Sequence, residues 1–363
     1  MASKITMSMI AQKAGVSQPT VSIVLNNSDA VSISLETKKR VLQAAKELGY
    51  TKKLGHKKSL NKQIALIIDG ALYTNDHFIV TINAAIERAQ ELNINLKVFA
   101  TLNTKEGERL LKESVENGEI DIAIIASNMT TNRSNCPKLN LPTVYLNCLP
   151  KDDLNVIAIL PDDYANAKKL ANAVFPHYKH PLVIAGDAWM KATSDRLQAL
   201  KEVFDSCGAN FSINDVYYSS WSFRNAHDIV LDRIKADPSY DIIFCASDYV
   251  ALGVYQALST LNKKIGEDIA VVGYDNQTLC KELYPHLTSV QLPYEAMAQI
   301  AVEYAYALSI GKQVKKEKIK TLSGDIYIRK STQKAFDDLV KKSAFAENII
   351  FDEKNQEILV TQK

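Results

Sequence analysis

Cysteine is scarce and unpatterned. Five residues (Cys136, Cys148, Cys207, Cys245, Cys280) are scattered through 363, an odd number with no CxxC pair. That excludes a disulfide framework and a thiolate metal knuckle, and it points to a reducing compartment. No run of about 18 apolar residues could span a bilayer. The N-terminus lacks a basic segment followed by an apolar one, so no secretory leader is expected. The patterns GxxxxGK, HExxH and GxSxG are also absent, which removes common signatures of nucleotide hydrolysis, zinc proteolysis and serine-hydrolase chemistry. His177 and His180 flank Tyr178-Lys179 and precede Pro181 without clustered acids or thiols, so they read as a surface turn rather than metal ligands. There is no short-period repeat and no long low-complexity tract. The expectation is a cytoplasmic non-enzyme with no cofactor, no metal and no membrane partner.

What is present is ordinary globular material, 47% hydrophobic and 23% charged. The length suits two or three domains at roughly 100–200 residues each. The formal charge of +2 hides a strong asymmetry. Residues 1–62 hold eleven Lys/Arg (Lys4, Lys13, Lys38, Lys39, Arg40, Lys46, Lys52, Lys53, Lys57, Lys58, Lys62) against three acids (Asp29, Glu36, Glu47), and the rest of the chain is net acidic. A basic head on an acidic body fits nucleic-acid contact through one end. A solubilising tail would give the same count.

Apolar spacing resolves the choice. Ile5, Met9, Ile10 and Ala14 recur at helical intervals, and Gly15 interrupts them. Ser17 can cap a second helix, with Gln18 and Pro19 in its first turn and Val21, Val24 and Leu25 facing inward. After the loop Asn26-Asn27-Ser28-Asp29, Ser34 can cap a third helix through Val41, Leu42, Ala45 and Leu48 to Gly49. Two short helices around a Gly turn with a third behind them make a helix-turn-helix unit, whose second helix enters the major groove. Its outward residues would be Ser17, Gln18, Thr20, Ser22 and Ile23. Gln can read adenine, Ser and Thr can reach base edges or phosphates, and Ile can touch a thymine methyl.

The polar, basic stretch 51–62 follows as a hinge or linker. Beyond it, short apolar strands alternate with helices: strands at Ile64–Ile68, Leu96–Ala100, Ile120–Ala126, Thr143–Leu146, Leu182–Ala185, Ile242–Cys245 and Ile269–Val272, with helical stretches such as Ile79–Leu92 and Tyr164–Val174 between. Such βαβ alternation gives parallel sheets, which bind ligands at the carboxyl ends of their strands. The end of the chain changes rhythm. Ala335–Ala344 reads as a helix, and Ile349-Ile350-Phe351 with Ile358-Leu359-Val360 reads as a hairpin.

The run Ile10-Ala11-Gln12-Lys13-Ala14-Gly15-Val16-Ser17, then Thr20-Val21-Ser22, Val24-Leu25-Asn26-Asn27, Arg40-Val41-Leu42 and Leu48-Gly49-Tyr50, resembles the headpiece of the LacI/GalR family of bacterial repressors. The resemblance extends through about Thr332. It implies an all-α helix-turn-helix headpiece (1–50) plus an α/β two-lobed periplasmic-binding-protein-like core with parallel sheets (63–332). Lobe one would comprise about 63–161 and 293–322, and lobe two about 162–292 and 323–332, leaving 333–363 as an extension. It further implies a homodimer on a pseudo-palindromic double-stranded operator, controlled by a small effector between the lobes. Thr6, Ser17, Gln18, Thr20, Ser22, Ile23 and Asn26 would meet the operator. Lys52, Lys53, Lys57 and Lys58 would bind phosphates, and Leu54 or Leu60 would be the minor-groove wedge. Three features depart from the family pattern. Ile23 stands where members often have Arg, the loop before Ser34 is longer, and the hinge is short with a helix-disfavouring Gly55.

For the effector, the resemblance implies Asn75, Phe78, Asn147, Arg196, Trp221, Ser247, Asp248 and Asp275. Tyr145-Leu146-Asn147 falls where sugar-responsive members place Asp. Gly186, Ser194 and Arg196 match a segment in which Arg grips the effector. Trp221 falls at an effector-stacking Trp, Ser247 replaces a usual Asn, and Val272-Gly273-Tyr274-Asp275 matches closely. An aromatic plate with Arg, Asp and Asn suits a sugar or sugar phosphate. A purine would also use stacking, and a phosphoprotein-controlled regulator or a plain sugar-binding protein would share the core. The sign of the coupling stays open.

Overall fold

The computed structural model describes residues 6–25, 33–48, 63–69, 76–101, 104–127, 132–133, 139–150, 155–312, 314, 318–343, 346 and 348–361. The chain divides into two units, Met1–Leu60 and Asn61–Lys363, and each is described by itself.

In the first unit, Thr6 starts helix α1 (Met7–Ala14) by accepting the Met9 N–H at 3.4 Å. Gly15 ends it at φ +65°, a left-handed conformation that glycine adopts without Cβ strain. Ser17 Oγ then accepts the Thr20 N–H (3.3 Å) and caps α2 (Gln18–Leu25). Ser34 does the same for α3 (Leu35–Glu47) through Thr37. Ile10, Val21 and Val41 are fully buried between the three helices, with Ala14, Val24, Ala44 and Ala45 around them. Leu42, one of the apolar residues that marked α3 in the sequence, is 53% exposed. It directly follows the buried Val41, and adjacent helix positions point about 100° apart.

The second unit opens with β1 (Ile64–Asp69), α4 (Asp76–Glu91), β2 (Leu96–Ala100), α5 (Lys105–Glu116), β3 (Ile122–Ser127), β4 (Asn132–Arg133), β5 (Thr143–Leu146), β6 (Leu149–Pro150) and β7 (Ile157–Pro161). It continues with α6 (Asp163–Val174), β8 (Pro181–Ala185), α7 (Lys191–Ser206), β9 (Val216–Tyr218), α8 (Phe223–Ala236), β10 (Ile242–Cys245), α9 (Asp248–Thr260), β11 (Ala270–Val272), α10 (Leu279–Glu282) and β12 (Ser289–Val290). Last come α11 (Tyr294–Ser309), β13 (Ile319–Leu322), β14 (Ile326–Ile328), α12 (Gln333–Ser343), β15 (Ile349–Asp352) and β16 (Glu357–Val360).

Lobe one is a parallel sheet in the order β13-β7-β5-β3-β1-β2. Lobe two is a parallel sheet in the order β11-β10-β8-β9. The central strands are continuous apolar runs, as sheets covered on both faces require: β3 is buried from Ile122 to Ala126, and β8 throughout. The periodicity missed β7, β9, β13 and β14 as strands, and β3 begins at Ile122 rather than Ile120. β9 and β14 have three residues each, too few to show a period.

The chain crosses between lobes three times, from β7 to α6, from β12 to α11 and from β13 to β14. The crossings are bonded together: Asp162 N to Leu322 O, Gln291 N to Asp325 O, and Gly324 N to Asn166 Oδ1, each at 2.8 Å. A Cβ at Gly324 would overlap the Gln291 carbonyl, so this approach requires glycine.

Residues beyond Thr332, expected as an extension made of a helix and a hairpin, form α12 and the β15–β16 hairpin. These are joined to the core by a small antiparallel sheet, β12-β14-β16-β15. Ala335, Phe336, Leu339 and Ile358 are buried in the main core cluster.

Candidate DNA interface and effector cleft

On the first unit, Ser17 and Gln18 are exposed, and Thr20, Ser22 and Ile23 are half-buried. Gln18 follows the capping Ser17 at the start of α2, so its side chain projects from the helix's N-terminal turn. Backbone N–H groups unpaired within the helix lie there and favour phosphate oxygens. Two of the expected contacts have local duties. Thr6 caps α1, and Ser17 bonds both the Thr20 amide and, at 2.8 Å, its hydroxyl. Asn26, Lys52, Lys53, Leu54, Lys57, Lys58 and Leu60 lie outside the described residues, as does Asn75 of the expected effector set.

In the second unit, the carboxyl ends of both sheets bring a charged, aromatic cluster together. Arg196 on α7 is its centre. Nη2 lies 2.8 Å and Nε 2.9 Å from Asp163 Oδ1, and Nη1 donates to the Ala246 carbonyl at 2.6 Å. Its guanidinium sits 3.6 Å from the Tyr274 ring centroid and 5.9 Å from that of Trp221. Burial works against its charge, but Asp163, then Tyr274 and Asp275, outweigh that and hold it fully protonated. Tyr274 donates its hydroxyl to Asp163, to the carbonyl at 3.3 Å and to Oδ1 at 3.4 Å.

Asp275 follows at φ +107°, its N–H tied to the Val290 carbonyl at 2.9 Å. Burial raises its carboxyl well above the usual range. Arg196 opposes the rise, and Asp248 and Asp163 add to it. From lobe one, Tyr294 at the start of α11 reaches the same field of Asp275, Arg196 and Asp163. His77 stacks on Tyr294 at 4.8 Å and touches Phe78 at 4.7 Å.

Trp221 has φ +59°, an uncommon backbone state for a bulky residue. Its ring lies where a Cβ at Gly186 would be, and its Nε1 points at Met190 Sδ, 3.1 Å away. The space remaining among Gly186, Thr193, Arg196, Trp221 and Tyr274 is a cavity of about 30 Å³, room for about one water. Asp163 Oδ2 and Thr193 Oγ1 are buried without a hydrogen bond.

The expected effector residues therefore separate. Phe78, Arg196, Trp221 and Asp275 belong to this cluster. Asn147, at the end of β5, donates to the Ser127 carbonyl at 3.2 Å and ties neighbouring strand ends of lobe one. Ser247 and Asp248 are engaged within the protein. Ser247 caps α9 through Val250 (3.2 Å). Asp248 is fully buried, accepting Ser289 Oγ and the Gln277 N–H at 2.7 Å each, so it braces the loop behind Asp275. Asp163, His77, Tyr274 and Tyr294 were not singled out from sequence. Asp163 had a signal, as the second of two acids that follow the apolar run Ile157–Pro161 at a strand's carboxyl end.

Residues 6–53 match the model for "Bacterial regulatory proteins, lacI family", and residues 177–332 match that for "Periplasmic binding protein-like domain". The chain thus carries a lacI-family DNA-binding domain ahead of a periplasmic-binding-protein-like domain. Among curated relatives, HTH-type transcriptional regulator RegA of Clostridium saccharobutylicum is 26% identical over 332 residues, covering 89% of this chain and 98% of that protein. The sucrose operon repressor of Escherichia coli is 28% identical over 312 residues, covering 80% and 90%. Among solved structures, a "transcriptional regulator CelR-cellobiose complex" superimposes with a TM-score of 0.65 at 23% identity, covering 90% of this chain and 99% of that one. The lac repressor dimer bound to operator gives 0.64 at 20%, covering 91% and 99%. These last two establish the fold. This chain is thus a DNA-binding transcriptional regulator with a two-lobed effector-domain core.

Proposed function

We propose that this regulator is a cytoplasmic homodimer that represses carbohydrate-utilisation genes, and that a neutral sugar bound between the lobes sets its operator affinity. One observation carries the choice of a neutral ligand: Arg196 is already committed to Asp163 and the Ala246 carbonyl. A phosphate would have to displace that ion pair and then sit beside Asp163 and Asp275. Sugar hydroxyls, by contrast, can donate to the unbonded Asp163 Oδ2 and to Asp275, with Trp221 as an apolar plate. The names of relatives agree in class: sucrose and ribose operon repressors.

The dimer reading rests on apolar side chains left in water on the described surface. Ile79 and Val80 on α4 are 64% and 42% exposed, Val98 on β2 is 42%, and Tyr284 is 93%. No helix among the described residues is long and apolar enough to cross a membrane.

A thermal-shift series with cellobiose, sucrose, ribose and their phosphates tests the ligand class. A ligand that binds only the folded state raises the midpoint. The expected result is a rise with at least one neutral sugar and none with its phosphate. Stabilisation by the phosphate alone would overturn the assignment.

A further inference from the structure

Arg329 is the largest fully buried side chain of the described residues. It directly follows β14, the strand on which the third crossing ends, and all its polar bonds are internal. Nε and Nη2 each lie 2.8 Å from Glu357 Oε2, Nη1 donates to the Leu287 carbonyl at 2.6 Å, and Nη2 donates to Asn276 Oδ1 at 2.9 Å. Asn276 is the neighbour of Asp275, and the two form a consecutive pair at φ +107° and +50°. Neither is glycine, and such residues persist only where surrounding bonds over-determine them. Those bonds are visible: Asp275 N to Val290 O, Asn276 N to Ser289 Oγ (3.0 Å), Gln277 N to Asp248 Oδ2, and the Asn276 side chain to Arg329.

Glu357 comes from the C-terminal hairpin, beyond the matched domain model that ends at Thr332. It reaches Arg329 because β16 pairs with β14 in the register Ile326↔Val360, Tyr327↔Leu359 and Ile328↔Ile358. On its other side β14 pairs with β12, so the hairpin extends the sheet that carries two of the three interlobe crossings. Lys281, half-exposed, contacts the outer carboxylate oxygen at 3.2 Å. A guanidinium buried without its counter-ion is strongly unfavourable. The other nearby carboxylate, Asp248, is already bonded to Ser289 and Gln277.

We propose that Glu357 is a positioning residue for the effector site. By neutralising Arg329 it keeps the guanidinium on Asn276, and so holds the left-handed turn that presents Asp275 to the cleft. The C-terminal hairpin is thereby part of the effector-sensing apparatus. The functional half of this inference rests on Asp275 being a ligand residue; the structural half does not.

Amide hydrogen exchange on the full-length chain, read by mass spectrometry on peptides spanning 273–279, tests it without any effector. Glu357→Gln is expected to speed exchange there at least about tenfold while peptides from β8 and β10 stay slow. Lys281→Ala, which removes only the outer contact, is expected to change it less than about twofold. Because Glu357→Gln strips a buried guanidinium of its counter-ion and so threatens the fold itself, the double variant Arg329→Met with Glu357→Leu supplies the decisive comparison. It buries no charge, so global stability returns, but the hold on Asn276 is gone and residues 273–279 should still exchange fast. Wild-type exchange in that loop, in the double variant or in a folded Glu357→Gln protein, overturns the proposal. Since no sugar enters the measurement, a failed ligand assignment would show only in the thermal-shift series.

Discussion

Arg196 Nη2 and Asp163 Oδ1 stand 2.8 Å apart inside lobe two, with Asp163 1% and Arg196 12% exposed. Each is therefore the other's buried counter-ion. Removing one partner of such a buried pair costs about 3–5 kcal/mol. Arg196→Ala is expected to lose that much in urea denaturation of the core transition, and Asp163→Ala a similar amount. The double variant should lose clearly less than the sum, the mark of direct coupling. Additive losses would show that the pair is not formed. The ligand response of Arg196→Ala must accordingly be read at a temperature where the variant remains folded.

Gln18 projects from the first turn of α2 and is exposed. Gln18→Ala should weaken binding by about 1–3 kcal/mol at operators carrying one particular base pair per half-site, and little at operators altered there. Fluorescence anisotropy against single-base operator variants reads this. An equal loss on every sequence would reduce Gln18 to a backbone contact.

Gly186 leaves room for the Trp221 ring, which a Cβ would overlap. Gly186→Ala should displace Trp221 from Met190 and destabilise the core by about 1–3 kcal/mol. In a Trp189→Phe background, which leaves Trp221 as the sole reporter, its emission maximum should move. Unchanged emission and midpoint would contradict the packing.

Asp248 gives a pH signature. Burial pushes its carboxyl up to about 6, against the pull of Ser289 and the Gln277 amide. The folded chain thus holds this proton more tightly than the unfolded chain, whose carboxylates titrate near 4. The contribution is fully present below about 4 and is lost as pH rises through about 6. Asp275 shifts in the same direction and adds to the slope. Stability measured between pH 4 and 7 should fall less steeply in Asp248→Asn than in the parent. Parallel curves would exclude a raised carboxyl at this position.

The two kinds of unit were legible because their signals are local. Ile10, Val21 and Val41 announce three packed helices, and Ser17 and Ser34 announce their starts. The apolar runs at Ile64–Ile68 and Leu182–Ala185 announce buried parallel strands. What stayed hidden depends on partners far apart in the chain. Glu357 opens β16 beside a polar turn and reads as surface, yet it meets Arg329 in the core. Asp163 reads as an ordinary acid at a helix start and proves to be the counter-ion of Arg196. Ser247-Asp248 matched a ligand motif by position, but the 2.7 Å bonds of Asp248 turn it toward Ser289 and Gln277. Periodicity reports which face is buried, and it carries no information about which distant polar group waits there.

The central claim is that one chain reads a DNA sequence and changes that reading when a sugar binds. The most direct measurement is selection of duplexes from a random-sequence library by the full-length protein, followed by affinity for the selected site with and without saturating neutral sugars. The account predicts enrichment of a pseudo-palindromic site, with an affinity that at least one sugar shifts about tenfold or more, as a coupling of roughly 1–3 kcal/mol requires. Failure to enrich any sequence, or a selected site whose affinity is the same under a sugar shown by thermal shift to bind, would contradict it.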